Sequence, residues 1–254
     1  MHKETYLFGQ GKVYLAGRGE DGRPLAQRWL GDVSKLSLTL NVENIEHKES
    51  YSGNRAVARR LAVSRNGELT MTWHDMSTQN LALLFQGNSI ALEDGSVSGE
   101  KLPDNIKAGE RYSLAHPLVD NVVLTVDDTP LVADTDYYVD DKFGAIEFLT
   151  AQPIGPEVAY QYEANDTTAF FTQRQVEVAL RYEGVNLAED GAPVLIELYK
   201  VQFDPASALD FINSDNNFAG PETKAGLLMD TARRSDDQLG MFGRLTNTRG
   251  KRNA

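Results

Sequence analysis

The side chains best suited to chemistry are few. The four histidines, His2, His47, His74 and His116, stand at spacings that match no common zinc motif, and with no cysteine a thiolate site is excluded. His74-Asp75 can be read as a base beside an orienting carboxylate. Such a pair works when it serves a nucleophile, and no Gly-x-Ser-x-Gly elbow occurs to supply one. The pair therefore reads as the polar exit of a strand, with Asp75 or Ser77 capping the helix that follows. Gly9-Gln10-Gly11 lacks the third glycine and the preceding strand of a dinucleotide fingerprint, and reads as a turn. No phosphate loop is present.

Asp134, Asp136, Asp140 and Asp141 invite a calcium reading, because hard cations want several carboxylate oxygens together. Counted as an EF-hand from Asp134, the cluster puts Val139 where glycine belongs and Ala145 where the bidentate glutamate belongs, so it reads as solvated turns. Tyr160, Tyr162, Phe170 and Phe171 resemble a stacking platform for sugars or bases, yet without interleaved arginines they read as strand cores. The chain thus offers no catalytic residue, no metal site and no cofactor site. That scarcity points to a structural role rather than an enzyme.

The positioning elements are clearer. From Leu30 to Gly87 the sequence writes one long amphipathic ribbon followed by a short helix. Leu36, Leu38, Leu40 and Val42 alternate with Ser37, Thr39 and Asn41, and Leu69, Met71 and Trp73 alternate with Thr70 and Thr72, the period of two of a half-buried strand. Between the arms, 43–60 is too polar for a core and too mixed in charge for a grip on nucleic acid, and reads as a flexible or partner-binding loop. Leu81, Leu84 and Phe85 make the helix stripe, and Gly87 ends it.

The net charge of −12 is unevenly placed. Residues 93–166 hold sixteen acids against four bases (Lys101, Lys107, Arg111, Lys142), while the rest of the chain holds 21 of each. Short alternating runs near Tyr112, at 122–126, 137–140, 145–149 and 158–162 occupy the same segment, which reads as a small acidic β module inserted into a main domain of 1–92 and 167–254. The main domain opens with an arm, 1–11, and a strand near 12–16. It resumes with strands near 176–182, 194–203 and 224–232, and closes on a basic tail, 237–254, read as mobile until a partner orders it. A chain without cysteine fits a reducing cytoplasm, and neither a signal peptide nor a membrane span is legible.

This order of parts resembles the major tail tube proteins of long, non-contractile-tailed bacteriophages, a family related in fold to the type VI secretion tube protein. The residues that carry the resemblance are Gly9-Gln10-Gly11-Lys12-Val13-Tyr14-Leu15, Leu30-Gly31-Asp32-Val33, Glu46-His47-Lys48-Glu49-Ser50-Tyr51-Ser52-Gly53, and Glu68-Leu69-Thr70-Met71-Thr72-Trp73 running into Asn80-Leu81-Ala82-Leu83-Leu84-Phe85-Gln86-Gly87. The resemblance covers the first 90 residues well and the strands after 170 loosely; the acidic module looks like a decoration. It implies a mainly β tail-tube sandwich or barrel with one flanking helix and a long hairpin. It also implies hexameric rings stacked into a hollow tube that passes DNA into the host.

The implied partners are other copies of the chain, a tape measure protein, a tail terminator, baseplate or distal tail proteins, and DNA in transient passage, with no membrane. The implied place is the tail of a virion assembled in the host cytoplasm. Under that reading Ser37, Thr39, Asn41, Thr70 and Thr72 face the lumen, and Glu46, Lys48, Glu49, Tyr51, Arg55, Arg59 and Arg60 contact an adjacent ring. The rivals are another ring-forming tail component, such as a terminator or baseplate hub, and a carbohydrate-binding protein or hydrolase with the acidic module as its working part.

Overall fold

The computed structural model describes residues 4–214, 218–233 and 240–247. His2 and parts of the tail (237–239 and 248–254) lie outside them. The chain is mainly β, with one α-helix among the described residues.

Strand β1 (Gly9–Arg18) begins earlier than its sequence suggests, and Gly9-Gln10-Gly11 is strand rather than turn. The reason is close approach: Gly11 lies opposite Gly184, and a Cβ there would stand 2.3 Å from the Glu183 carbonyl oxygen. The arm before it is fastened. Phe8 N–H donates to Asn186 Oδ1 at 2.9 Å, and Asn186 Nδ2 donates to the Tyr6 carbonyl at 2.7 Å. After a turn at 19–22, strand β2 (Pro24–Trp29) pairs with β1.

Strands β3 (Val33–Lys48) and β4 (Val57–Trp73) are the two arms of the ribbon. They pair in the register the alternation demands, Leu36 opposite Met71 and Leu38 opposite Leu69. The 43–60 connector is not a loop: strand continues to Lys48 and resumes at Val57, leaving only 49–56 as the turn. A ribbon solvated on both faces tolerates charge on either, so polarity there does not break the pairing. Helix α1 (Thr78–Leu84) follows. Asp75 Oδ1 accepts from the Ser77 N–H at 2.9 Å, while the Ser77 side chain makes no capping bond. The reversal after the helix falls on Gln86, with φ 48°, not on Gly87. Gly87 serves a packing need, since a Cβ there would meet the Ala169 carbonyl oxygen at 1.7 Å.

Nine short strands follow: β5 (Ser89–Leu92), β6 (Gly95–Lys101), β7 (Arg111–Ser113), β8 (Val119–Val126), β9 (Thr129–Pro130), β10 (Tyr137–Asp140), β11 (Ala145–Phe148), β12 (Glu157–Tyr162) and β13 (Asn165–Thr168). They form sheets of order β6-β12-β8-β9 and β10-β11-β7, with β5 paired to β13. Leu124, Ile146, Phe148 and Val158 are buried in their core. Strand β6 leaves little trace in the sequence, because Val97 is its one apolar residue.

The chain returns through β14 (Glu177–Asn186), β15 (Ala192–Phe203), β16 (Glu222–Leu227) and β17 (Gly243–Asn247). Strand β17 corrects the reading of a mobile tail: 243–247 pair with β15 along 194–198, covering an edge that β16 leaves open. The main sheet runs β2-β1-β14-β15-β16-β4-β3, with β17 on β15. Its inner face buries Leu15, Leu69, Met71, Trp73, Leu180, Val201 and Phe203 with Leu84 of α1. Trp73 Nε1 donates to Thr223 Oγ1 at 2.7 Å, satisfying the one polar atom of a fully buried indole. Two compact units result, 1–88 with 168–254, and 89–167.

Candidate assembly interface

Strands β3, β4 and β16 lie side by side, so their residues fall into cross-strand rows. Lys35, Thr72 and Glu222 form one row, Ser37, Thr70 and Lys224 the next, and Thr39, Glu68 and Gly226 the third. Residues in a row share a face. The five residues read as one polar face do share it: Ser37, Thr39 and Asn41 are exposed, Thr70 and Thr72 half-buried, and the alternate positions Leu69 and Met71 are in the core.

The face is not made of hydroxyls and amides alone. Lys35 Nζ lies 3.1 Å from Glu222, and Lys224 Nζ lies 3.0 Å from Glu68, whose hydrogen bond and charge hold the Lys224 ammonium above its ordinary range. The sequence reading missed these four residues. Extending each alternation by one step would have found Lys35 and Glu68.

Beyond Gly67, where pairing with β16 stops, β3 and β4 have only each other among the described strands. A free two-stranded ribbon is marginal in water. At a bulge Glu43 lies opposite Ser64 and Asn44 opposite Ala62, so Val63 is the extra residue. Alternation along β3 then puts Ile45, opposite Leu61, on the other face from Leu36, Leu38, Leu40 and Val42. The outer ribbon consequently exposes apolar side chains on both sides, Leu40, Val42, Ile45 and Leu61 among them.

All seven residues assigned to contacts with a neighbour gather at this far end. Glu46 faces Arg60 across the ribbon at 3.7 Å, Arg59 lies opposite His47, and Lys48 opposite Val57. Tyr51, 87% exposed, and Arg55 occupy the turn. Glu49 differs from the rest. Its carboxylate is folded into its own turn, accepting from Ser52 Oγ at 2.5 Å, Ser52 N–H at 2.8 Å and Tyr51 N–H at 2.9 Å, and these bonds hold it down at about 2. It orders the turn instead of reaching outward.

The same unit contains an apolar groove of about 740 Å³, walled by Leu36, Leu38, Leu69, Leu180 and Ile196. Asp32 is the single carboxylate in its wall. Several of the residues weighed for chemistry are otherwise engaged. His74 does not use Asp75: Nδ1 lies 3.2 Å from the Ala219 carbonyl, to which it donates, leaving Nε2 to accept from Ser34 Oγ at 2.8 Å. His116 stacks on Tyr162 with ring centroids 3.8 Å apart. Asp140 holds Arg111 at 2.7 Å, Asp136 accepts from the Val132 N–H, and Asp141 from the Lys142 N–H. Among the described residues no three such side chains converge on a place for a metal ion. Tyr160 is buried, its hydroxyl bound to Glu100 at 2.5 Å and pushed up chiefly by burial, but Phe170 and Phe171 are not strand core: both are exposed beyond the end of β13, with the Phe170 ring centroid 4.5 Å from that of Phe85.

The model of one family, described as a protein of unknown function, UCP028589, matches residues 6–246, and the chain belongs to that family. No curated protein matches it.

Proposed function

We propose that this member of the family is a structural subunit that joins copies of itself through sheet edges and the β3–β4 ribbon, building hexameric rings stacked into the hollow tail tube of a long-tailed phage. The carrying observation is the ribbon, whose outer half pairs only with itself among the described strands and exposes Leu40, Val42, Ile45 and Leu61 to water. Open edges and unburied apolar strands are a liability for a lone subunit and an advantage for one that is covered by its neighbours. The face bearing Ser37, Thr39, Asn41, Thr70 and Thr72 lines the lumen in this reading. Its lysines stand in neutral couples with Glu222 and Glu68, which suits a conduit that must not hold DNA, because phosphate affinity comes from uncompensated Lys and Arg.

Electron microscopy of the purified protein is the test. Long tubes with sixfold end views are the expected result. Discrete rings that never stack would favour a terminator or hub, and a monomer at high concentration would overturn the reading. Deleting 51–57 should leave soluble subunits that no longer polymerise.

A further inference from the structure

Resting on the self-assembly reading, we propose that the far end of the β3–β4 ribbon docks against the acidic 89–167 unit of a second copy of the chain. From Glu43 to Arg65 the ribbon carries five basic residues against three acidic ones. Two of the three acids are already occupied, Glu46 by Arg60 and Glu49 by its own turn. Lys48, Arg55, Arg59 and Arg65 remain exposed, and none has an ion-pair partner among the described residues. They flank the exposed Ile45 and Leu61, so the end is both basic and apolar.

The opposite field exists on the same chain. The 89–167 unit holds sixteen acids and four bases, and one of those bases, Arg111, is held by Asp140. The rest of the chain holds 21 of each in sum, so this unit carries the whole net charge of −12. Complementary potentials of this kind steer encounter and fix register, and they weaken with salt. A protein surface suits the ribbon better than a polyanion does, because apolar side chains and acids interrupt its basic residues.

The absence of native cysteine makes the test clean. Arg59→Cys and Asp128→Cys subunits, each with a single thiol, are mixed under mild oxidation and the mixed disulfide is identified by mass. Asp128 is exposed in the turn between β8 and β9. The expected yield is about fivefold above that of Arg59→Cys mixed with Glu20→Cys, and it falls to that control level between about 50 mM and about 500 mM salt, as screening of exposed charges requires. Adding Lys48→Glu and Arg55→Glu to the first subunit should also remove the excess.

Mixed disulfide at the control level while microscopy shows tubes would overturn the docking and leave the tube reading standing. Control-level disulfide with no assembly at all would overturn both. Control-level disulfide together with retention of a short DNA duplex that is lost in the charge-reversed subunit would make nucleic acid the occupant and likewise overturn the docking.

Discussion

Arg18 Nη2 lies 2.6 Å from Asp230 Oδ1, tying the end of β1 to a segment 212 residues later. Asp230 is 1% exposed and also holds Arg233, whose guanidinium rests 3.7 Å over the Tyr199 ring. Arg18 Nε is buried without a partner, so its charge is answered through Asp230 and the more distant, partly exposed Glu177. Removing one member of a buried pair leaves the other uncompensated, which costs about 3 kcal/mol. Asp230→Ala should therefore lower unfolding stability by about that amount in urea titration. A loss below about 1 kcal/mol, the worth of an exposed pair, would show that water reaches the site.

The turn at the ribbon tip should depend on pH through Glu49. Its carboxylate is held at about 2, chiefly by the Ser52 hydroxyl and then by the Ser52 amide. The folded value is depressed, so the charged form supports the turn. That support is fully present above the ordinary carboxylate range and drains away as pH falls toward 2. An NMR titration of the Glu49 carboxyl carbon should give a midpoint near 2, and Ser52→Ala should move it upward. A wild-type midpoint near 4 would mean the turn is open in solution.

Gly11 should tolerate no side chain. A Cβ there would meet the Glu183 carbonyl at 2.3 Å and the Gly184 Cα at 2.5 Å, both backbone atoms that cannot swing aside. Overpacking of this kind costs about 1–3 kcal/mol. Gly11→Ala should show it as a lowered thermal midpoint, whereas Gly53→Ala, with open space around it, should lose stability only through its positive φ.

How much of this was readable in advance follows from what each residue answers to. The register of Leu36 with Met71 and of Leu38 with Leu69 was legible because burial of one face fixes a period of two. The continuation of strand through Glu46 and Arg60 was not, because a ribbon solvated on both faces mixes charged and apolar residues on each, and the bulge at Val63 breaks the period of two. Gly11 and Gly87 looked like turn and stop signals, yet both are spacing devices set by strands and carbonyls far away in sequence. Strand β17 was hidden for a related reason: the edge of β15 it covers exists only once β16 has stopped short. Of the candidate interface, the five polar positions could be read from one strand at a time, while the charge couples Lys35–Glu222 and Lys224–Glu68 needed strands brought together from opposite ends of the chain.

Those couples make the lumen assignment testable in two ways. Thr39→Cys and Thr70→Cys subunits should react with a bulky maleimide when dissociated and resist it once assembled, since a lumen-facing position is shielded by the wall itself. The neutrality of the face should also be removable. Glu68→Gln leaves Lys224 without its partner at 3.0 Å and adds one uncompensated positive charge per subunit, repeated around every ring. Because each phosphate contact strengthens binding and steepens its salt dependence, such tubes should retain DNA at low salt where wild-type tubes release it. Free reaction of Thr39→Cys and Thr70→Cys with the bulky reagent in intact tubes would place this face outside. The charge pairing would then have to be explained by contact with a neighbour rather than by passage of DNA.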